Sequence, residues 1–205
     1  MELVVTDPGL ASRLIYERQE AGVDRFDEVW DGTYVIAPIA DNVHQDIQAD
    51  QGFAIFEAAG GWQRRSHDYF GVNVSDRVEG WGQNHRWPDV AVYLPETTAR
   101  ECGTHWCGGP DFAVEIRTCG DRTMQKIPFY SAVNVLELLV VDRNPWSLEL
   151  YRLRGRQLAS IQKSDVSARD PLMSEVLPLS FRLTAGSPRP IIEVRHRDSG
   201  QIWSA

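Results

Sequence analysis

Charged side chains sit in the middle of this chain where burial would otherwise be apolar. Pro88-Asp89-Val90-Ala91-Val92-Tyr93-Leu94 and Asp111-Phe112-Ala113-Val114-Glu115-Ile116-Arg117 each read as a short strand, and each carries a carboxylate. Burying a carboxylate is costly unless a cation or a metal compensates it. Side chains alternate along a strand, so Asp111, Ala113, Glu115 and Arg117 share one face, while Phe112, Val114 and Ile116 share the other. If the strand of Asp89 neighbours that of Glu115, the two carboxylates converge. Such a pair could hold Mg²⁺ or Mn²⁺ through one oxygen each, with the Ile116 carbonyl and waters completing an octahedron. A cation held there would acidify a water and neutralise charge on a phosphoryl group. Lys126 lies on the next predicted helix with Tyr130 one turn on, on the same face. A lysine near such a water could orient it and offset negative charge in the transition state.

The elements that must position these residues can be read from periodicity and punctuation. Residues 1–22 suit a short amphipathic helix ending near Gly22. Asp31-Gly32, between the alternating runs 26–30 and 33–36, signals a tight hairpin closed by Pro38. A second helix is expected over 42–59, stopped by Gly60-Gly61. Strands follow over 69–74, 89–94 and 112–117, with 95–110 as a long loop between the last two. A helix is expected over 121–133, with Asn134 as its left-handed cap. Strands 136–142 and 148–153 should pair across Asn144-Pro145, and 191–195 with 202–203 across Asp198-Ser199-Gly200. This order implies an α+β fold with a central mixed β-sheet flanked by helices, preceded by an N-terminal helix and hairpin.

The ordered set formed by Glu28, Asp31-Gly32, Pro38, His44, Pro88-Asp89-Val90-Ala91-Val92, Asp111-Phe112-Ala113-Val114-Glu115-Ile116, Asp121, Lys126, Tyr130 and Val135-Leu136-Glu137-Leu138-Leu139-Val140-Val141-Asp142 resembles the bacterial putative restriction endonuclease family of the PD-(D/E)xK nuclease superfamily. The resemblance spans roughly residues 25–155. It implies a restriction-endonuclease-like fold and Mg²⁺-dependent hydrolysis of DNA phosphodiester bonds. It also implies Asp89 and Glu115 as metal ligands, Lys126 as the catalytic lysine and Glu28 as a supporting acid from the hairpin. Arg117, Asp121, Tyr130 and His44 are expected in supporting positions. Three departures bear on activity rather than fold. Arg117-Thr118-Cys119-Gly120 replaces the usual Ser-Pro-Ser after the second acid. Arg117, two residues after Glu115, cannot lose a proton and so cannot be a base. Pro128 interrupts the helix of Lys126. A catalytically inactive binding or assembly module is therefore the alternative reading, with hydrolysis of a small phosphorylated substrate a third.

Other clusters carry two readings each. Cys102, His105 and Cys107, with Cys119 and His85 nearby, offer zinc ligands but lack the paired Cys-x-x-Cys spacing. Arg64-Arg65 with His67, and Trp81 with Arg86-Trp87, could form a basic and aromatic edge for a nucleic-acid strand, or an ordinary surface loop. Arg152, Arg154 and Arg156 fall on one face by period two, as a phosphate track or as a solvated edge. A net charge of −8 argues against a protein coated in phosphate-neutralising charge but leaves a local groove open.

With 205 residues the expectation is one nuclease-like domain, with a core at about 25–155 and a strand-rich extension at about 156–205. Three cysteines do not make a disulfide framework. No leader or membrane-length apolar run is evident, so a cytoplasmic protein is expected. DNA is the expected partner, and a homodimer is expected because cutting both strands commonly takes two active sites.

Overall fold

The computed structural model describes residues 2–38, 40–59, 67–118 and 120–205. In chain order the elements are β1 (Leu3–Val5), α1 (Pro8–Glu20), β2 (Glu28–Trp30), β3 (Thr33–Ile36), α2 (Asn42–Ala58), β4 (His67–Tyr69), β5 (Val74–Ser75), β6 (His85–Arg86) and β7 (Val90–Tyr93). They continue with β8 (Arg100–Glu101), β9 (Trp106–Cys107), β10 (Phe112–Ile116), α3 (Thr123–Ala132), β11 (Glu137–Arg143), β12 (Trp146–Arg154) and β13 (Gln157–Ser164). The chain closes with β14 (Leu172–Met173), β15 (Leu179–Thr184), β16 (Ile191–His196) and β17 (Ile202–Ser204).

Local chemistry accounts for the boundaries. Asp7 caps α1 by accepting the Leu10 N–H at 2.7 Å, with Pro8 opening the helix. Asp41 caps α2 through the His44 N–H at 2.8 Å. Asp31 and Gly32 both take positive φ, 48° and 81°, which suits the tight turn joining β2 to β3. Asn134, at φ 62°, ends α3 as expected, and the Val135 N–H returns to the Tyr130 carbonyl. The Gly60-Gly61 stop lies outside the described residues.

Among the described residues the strands form three sheets. The central one runs β13-β12-β11-β10-β7-β4 and is mixed, because β10 and β11 are parallel while the other pairs are antiparallel. A parallel pair needs a crossover, and α3 supplies it. One face of this sheet, with Val90, Val92, Phe112, Val114, Ile116, Leu139 and Leu150, packs against α2 and against the four-stranded sheet β14-β15-β16-β17. The other face, with Ala113, Leu138 and Val140, packs on Phe129, Tyr130 and Val133 of α3. The third sheet, β1-β3-β2-β6-β5-β9-β8, carries the N-terminal hairpin. The α+β architecture with helices on the central mixed sheet is the expected one.

Four expectations are corrected. The run 1–22 is not all helix: Leu3–Val5 forms β1, which pairs with β3, and the helix begins only at Pro8. The run 69–74 is not one strand. Gly71 takes φ +77° and divides it, so β4 pairs in the central sheet and β5 in the hairpin sheet. The loop 95–110 contains the short hairpin β8–β9. Arg152, Arg154 and Arg156 form no continuous basic track. Arg152 is buried and donates to the fully buried Glu137 at 2.7 Å, directly opposite it across β11–β12, and to Glu175 at 2.7 Å. Arg154 ends β12, and Arg156 follows the turn at Gly155. The reason is Glu137, a buried anion that takes the nearest cross-strand cation.

No helix among the described residues is long and apolar enough to cross a membrane.

Candidate active site

β7 runs antiparallel to β10 with Val90 opposite Val114, which sets Asp89 beside the end of β10. Asp89 Oδ2 accepts the Ile116 N–H at 2.6 Å, and its Oδ1 lies 2.9 Å from His44 Nε2. Gln48, one turn after His44 on α2, donates to the Asp89 carbonyl at 2.7 Å. Asp89 is thus oriented from two sides. Along a strand, the N–H and C=O of one residue point to the same edge. The Ile116 carbonyl therefore points to the edge where Asp89 lies.

Glu115 faces the opposite side of β10 from its apolar neighbours, as the alternation predicts, and meets α3. Lys126 Nζ lies 3.2 and 3.1 Å from its two carboxylate oxygens. Tyr130, one turn along the helix, donates its hydroxyl to Oε1. Lys126 Nζ also lies 2.9 Å from Glu28 Oε1. The hairpin has therefore folded over the site and buried Glu28, which accepts from the Trp87 N–H at 2.8 Å and from Trp30 Nε1 at 2.6 Å. Pro128 does not displace the lysine. It lies two residues beyond Lys126, and α3 continues through it to Ala132.

Among the supporting residues, Arg117 does not reach Glu115. Its ion pairs are with Asp142 and, at 3.8 Å, Asp121. Asp121 accepts from the Thr118 and Thr123 N–H groups and shapes the turn into α3. Although Arg117 shares a strand with Glu115, it pairs with Asp142 at the end of β11, and Lys126 is the cation on Glu115.

Electrostatically the cluster has excess negative charge. Burial pushes the Glu115 carboxyl up, to about 8, against the pull of Lys126; the neighbouring Asp89 and Glu28 push it the same way as burial, and the Tyr130 hydrogen bond opposes them. Burial alone would favour neutral Lys126, but Glu115 and Glu28 outweigh it and hold the ammonium protonated. A single cation among three carboxylates leaves the site short of positive charge. Glu28, His44, Asp89, Glu115 and Lys126 line one small cleft of about 100 Å³, open to solvent, together with Glu2, Phe26 and Trp87. The Glu2 carboxyl is pushed up by burial, and its Oε2 is buried without a partner.

These groups fit a hard divalent ion. The donors are all oxygen: two carboxylates and a carbonyl, in a cleft that wants positive charge. Among the described residues no three His, Cys, Asp or Glu side chains group closely enough to hold a metal by themselves. An all-oxygen donor set suits a hard ion that completes its shell with water and phosphate.

The other clusters have structural explanations. His105 Nε2 lies 3.0 Å from the Arg77 carbonyl, and its ring stacks on Trp81 at 4.9 Å. Cys102 and Cys107 are free thiols, and Cys119 lies outside the described residues. Arg86 is buried, donates to the carbonyls of Val29 and His85, and stacks on Trp30 and Phe129, so it is no part of a basic edge. Arg64-Arg65 lies outside the described residues. Sequence reasoning missed Glu2, Gln48 and Phe26. Only Gln48 had a signal, its one-turn spacing from His44.

The chain matches the family model Uma2, "Putative restriction endonuclease", over residues 15–186. It also resembles the crystal structure of a putative nuclease belonging to DUF820 from Anabaena variabilis ATCC 29413. The TM-score is 0.55 at 17% identity, covering 72% of this chain and 81% of that chain. No curated protein matches.

Proposed function

This chain belongs to the Uma2 family of putative restriction endonucleases, and from that premise we propose that it is a Mg²⁺-dependent endodeoxyribonuclease of the PD-(D/E)xK type. Asp89, Glu115 and the Ile116 carbonyl would hold Mg²⁺ or Mn²⁺. When bound, the ion would acidify a water and neutralise charge on the scissile phosphate. The rest of the chemistry belongs to the chain. His44 and the Ile116 N–H hold the Asp89 carboxylate in one orientation. Tyr130 holds that of Glu115. Lys126, kept protonated by Glu115 and Glu28, is not the base. Its role is to donate hydrogen bonds and to stabilise the charge that builds on the phosphate as water attacks. In that step a water oxygen would bond phosphorus as it gives a proton to solvent, and the bridging P–O bond would break with its electron pair going to the leaving oxygen, which takes a proton from solvent.

One observation carries this reading: Lys126 Nζ bridges Glu28 at 2.9 Å and Glu115 at 3.1 Å in the cleft that Asp89 also lines. That geometry also weighs against an inactive module, since neither Arg117 nor Pro128 disturbs it. The test is to incubate the protein with plasmid DNA and Mg²⁺ or Mn²⁺, alongside Glu115→Gln and Asp89→Asn. Cleavage by the unaltered chain, lost in both variants together with calorimetric Mn²⁺ binding, is the expected result. Cleavage that survives Glu115→Gln would sink the assignment. Cutting both strands would be served by a homodimer, and light scattering of the purified protein checks that.

A further inference from the structure

The mouth of the cleft carries two aromatic side chains that the chemistry above does not use. Phe26 is 49% exposed, although it is large and apolar. Its ring meets Trp87 edge to face, with centroids 5.9 Å apart and planes at 89°. Both line the same cleft as Glu28, Asp89, Glu115 and Lys126. Trp87 also lines the adjacent cleft with Arg25, Gln83 and His85, so the pair forms a ridge between two hollows.

The Trp87 side of the ridge is held in place by its surroundings. The Trp87 N–H is tied to Glu28 Oε1 at 2.8 Å. Its indole presses so closely on Gly71 that a Cβ there would lie 1.9 Å from Nε1. The Arg25 guanidinium sits 5.4 Å from the Phe26 centroid, bringing a cation to the ridge. A preorganised aromatic surface loses little freedom on binding. Every base has a π-face, and a base released from its duplex stacks on aromatic side chains whatever its sequence. At a separate hollow, Arg117 and Arg143 are paired with Asp142 and Asp41. With a net charge of −8, the protein offers few phosphate contacts to either form of DNA, so base stacking, which paired bases cannot supply, is the contribution that separates a single strand from duplex.

We propose that Phe26 and Trp87 stack an unpaired base beside the scissile phosphate, so that the substrate is a single DNA strand, free or exposed at a flap, rather than continuous duplex. The proposal rests on the nuclease reading of the same cleft.

The test uses the full chain, a single-stranded oligonucleotide carrying 2-aminopurine, and the same sequence as duplex. Binding is read by anisotropy in Ca²⁺, stacking by 2-aminopurine quenching, and cleavage in Mn²⁺. Expected are preference for the single strand, quenching on binding, and a roughly 5- to 150-fold loss of single-strand affinity in Phe26→Ala, the range for one lost base stack. The thermal midpoint of that variant should hold, since Phe26 is half exposed. Trp87→Phe, which keeps a ring on the ridge, should retain most of the quenching. Equal binding and cutting of both forms, or affinity and quenching unchanged in Phe26→Ala, would overturn the proposal. Quenching that depends on Phe26 without cleavage of any DNA would uphold the stacking site and remove the hydrolytic reading. Duplex cleavage that needs Glu115 but ignores Phe26 would do the reverse.

Discussion

Replacing Lys126 with Met removes the ammonium while keeping most of the apolar stem. In the native protein its Nζ lies 2.9 Å from Glu28 and 3.1 Å from Glu115, with the three side chains 8%, 5% and 3% exposed. At an effective dielectric constant of about 20, each contact carries roughly 5 kcal/mol of Coulomb attraction. That sum is not the destabilisation, because a carboxylate stripped of its partner can take up a proton. Burial already pushes Glu115 to about 8, so its protonation near neutrality costs little. The remaining penalty is capped by protonating one further carboxyl. For a glutamate of ordinary pKa about 4.3, this costs about 3.7 kcal/mol at pH 7, 2.3 at pH 6 and 1 at pH 5. The neutral-pH figure falls within the roughly 3–5 kcal/mol for breaking a buried pair. The sign follows from proton counting. The folded variant would hold an extra proton that its unfolded chain lacks above about pH 4.3, so the deficit grows by about 1.4 kcal/mol per pH unit. Urea denaturation of both proteins at pH 5, 6 and 7 reads it directly. A deficit below about 1 kcal/mol at pH 7, or one equal at pH 5 and pH 7, would refute Lys126 as the counter-charge of this cluster.

Mn²⁺ binding should expel the proton that burial favours on Glu115, so affinity should rise about tenfold per pH unit up to about 8 and then level off; calorimetry in buffers of different ionisation enthalpy checks the proton release. Tyr130→Phe removes a hydrogen bond that lowers the Glu115 pKa, so the same profile should move to higher pH, which a pH series of Mn²⁺ titrations would show. Gly71→Ala meets both the positive φ and the Trp87 indole, and should lose at least about 1 kcal/mol in thermal or urea unfolding. Arg152→Met should lose roughly 3–5 kcal/mol, because it leaves Glu137 buried without its cross-strand cation; a loss under about 1 kcal/mol would show that the Ser174 hydroxyl and the Glu175 and Val176 N–H groups suffice.

Much of the framework was legible because its determinants are local. Asp7 and Asp41 cap helices, Asp31-Gly32 turns a hairpin, and Asn134 ends α3, each through contacts a few residues long. The strand 69–74 was misread because Gly71 answers to Trp87, a neighbour that no local window contains. Apart from the hairpin of 191–195 with 202–203, which β16 and β17 form, residues 156–205 were legible only as strand-rich. The edge strand β13 is largely polar and exposed, so it lacks the alternation of its neighbours, and its pairing was hidden. Nor is the C-terminal sheet an appendage in its packing: Phe181 stacks on Phe112 at 5.7 Å within the main core.

By itself the sequence determined which residues could do chemistry: a carboxylate at the head of β7, another on the polar face of β10, and a lysine and tyrosine one turn apart on the helix that follows. Alternation and helical periodicity are geometric consequences of the backbone, so they need no knowledge of the fold. Only the tertiary structure decided the partners. It brought Glu28 from the hairpin to Lys126, gave His44 to Asp89, drew Arg117 away to Asp142, and set Phe26 against Trp87. The charge state of a buried group is the sum over every neighbour that burial assembles, and those neighbours lie 11 to almost 100 positions apart in the chain.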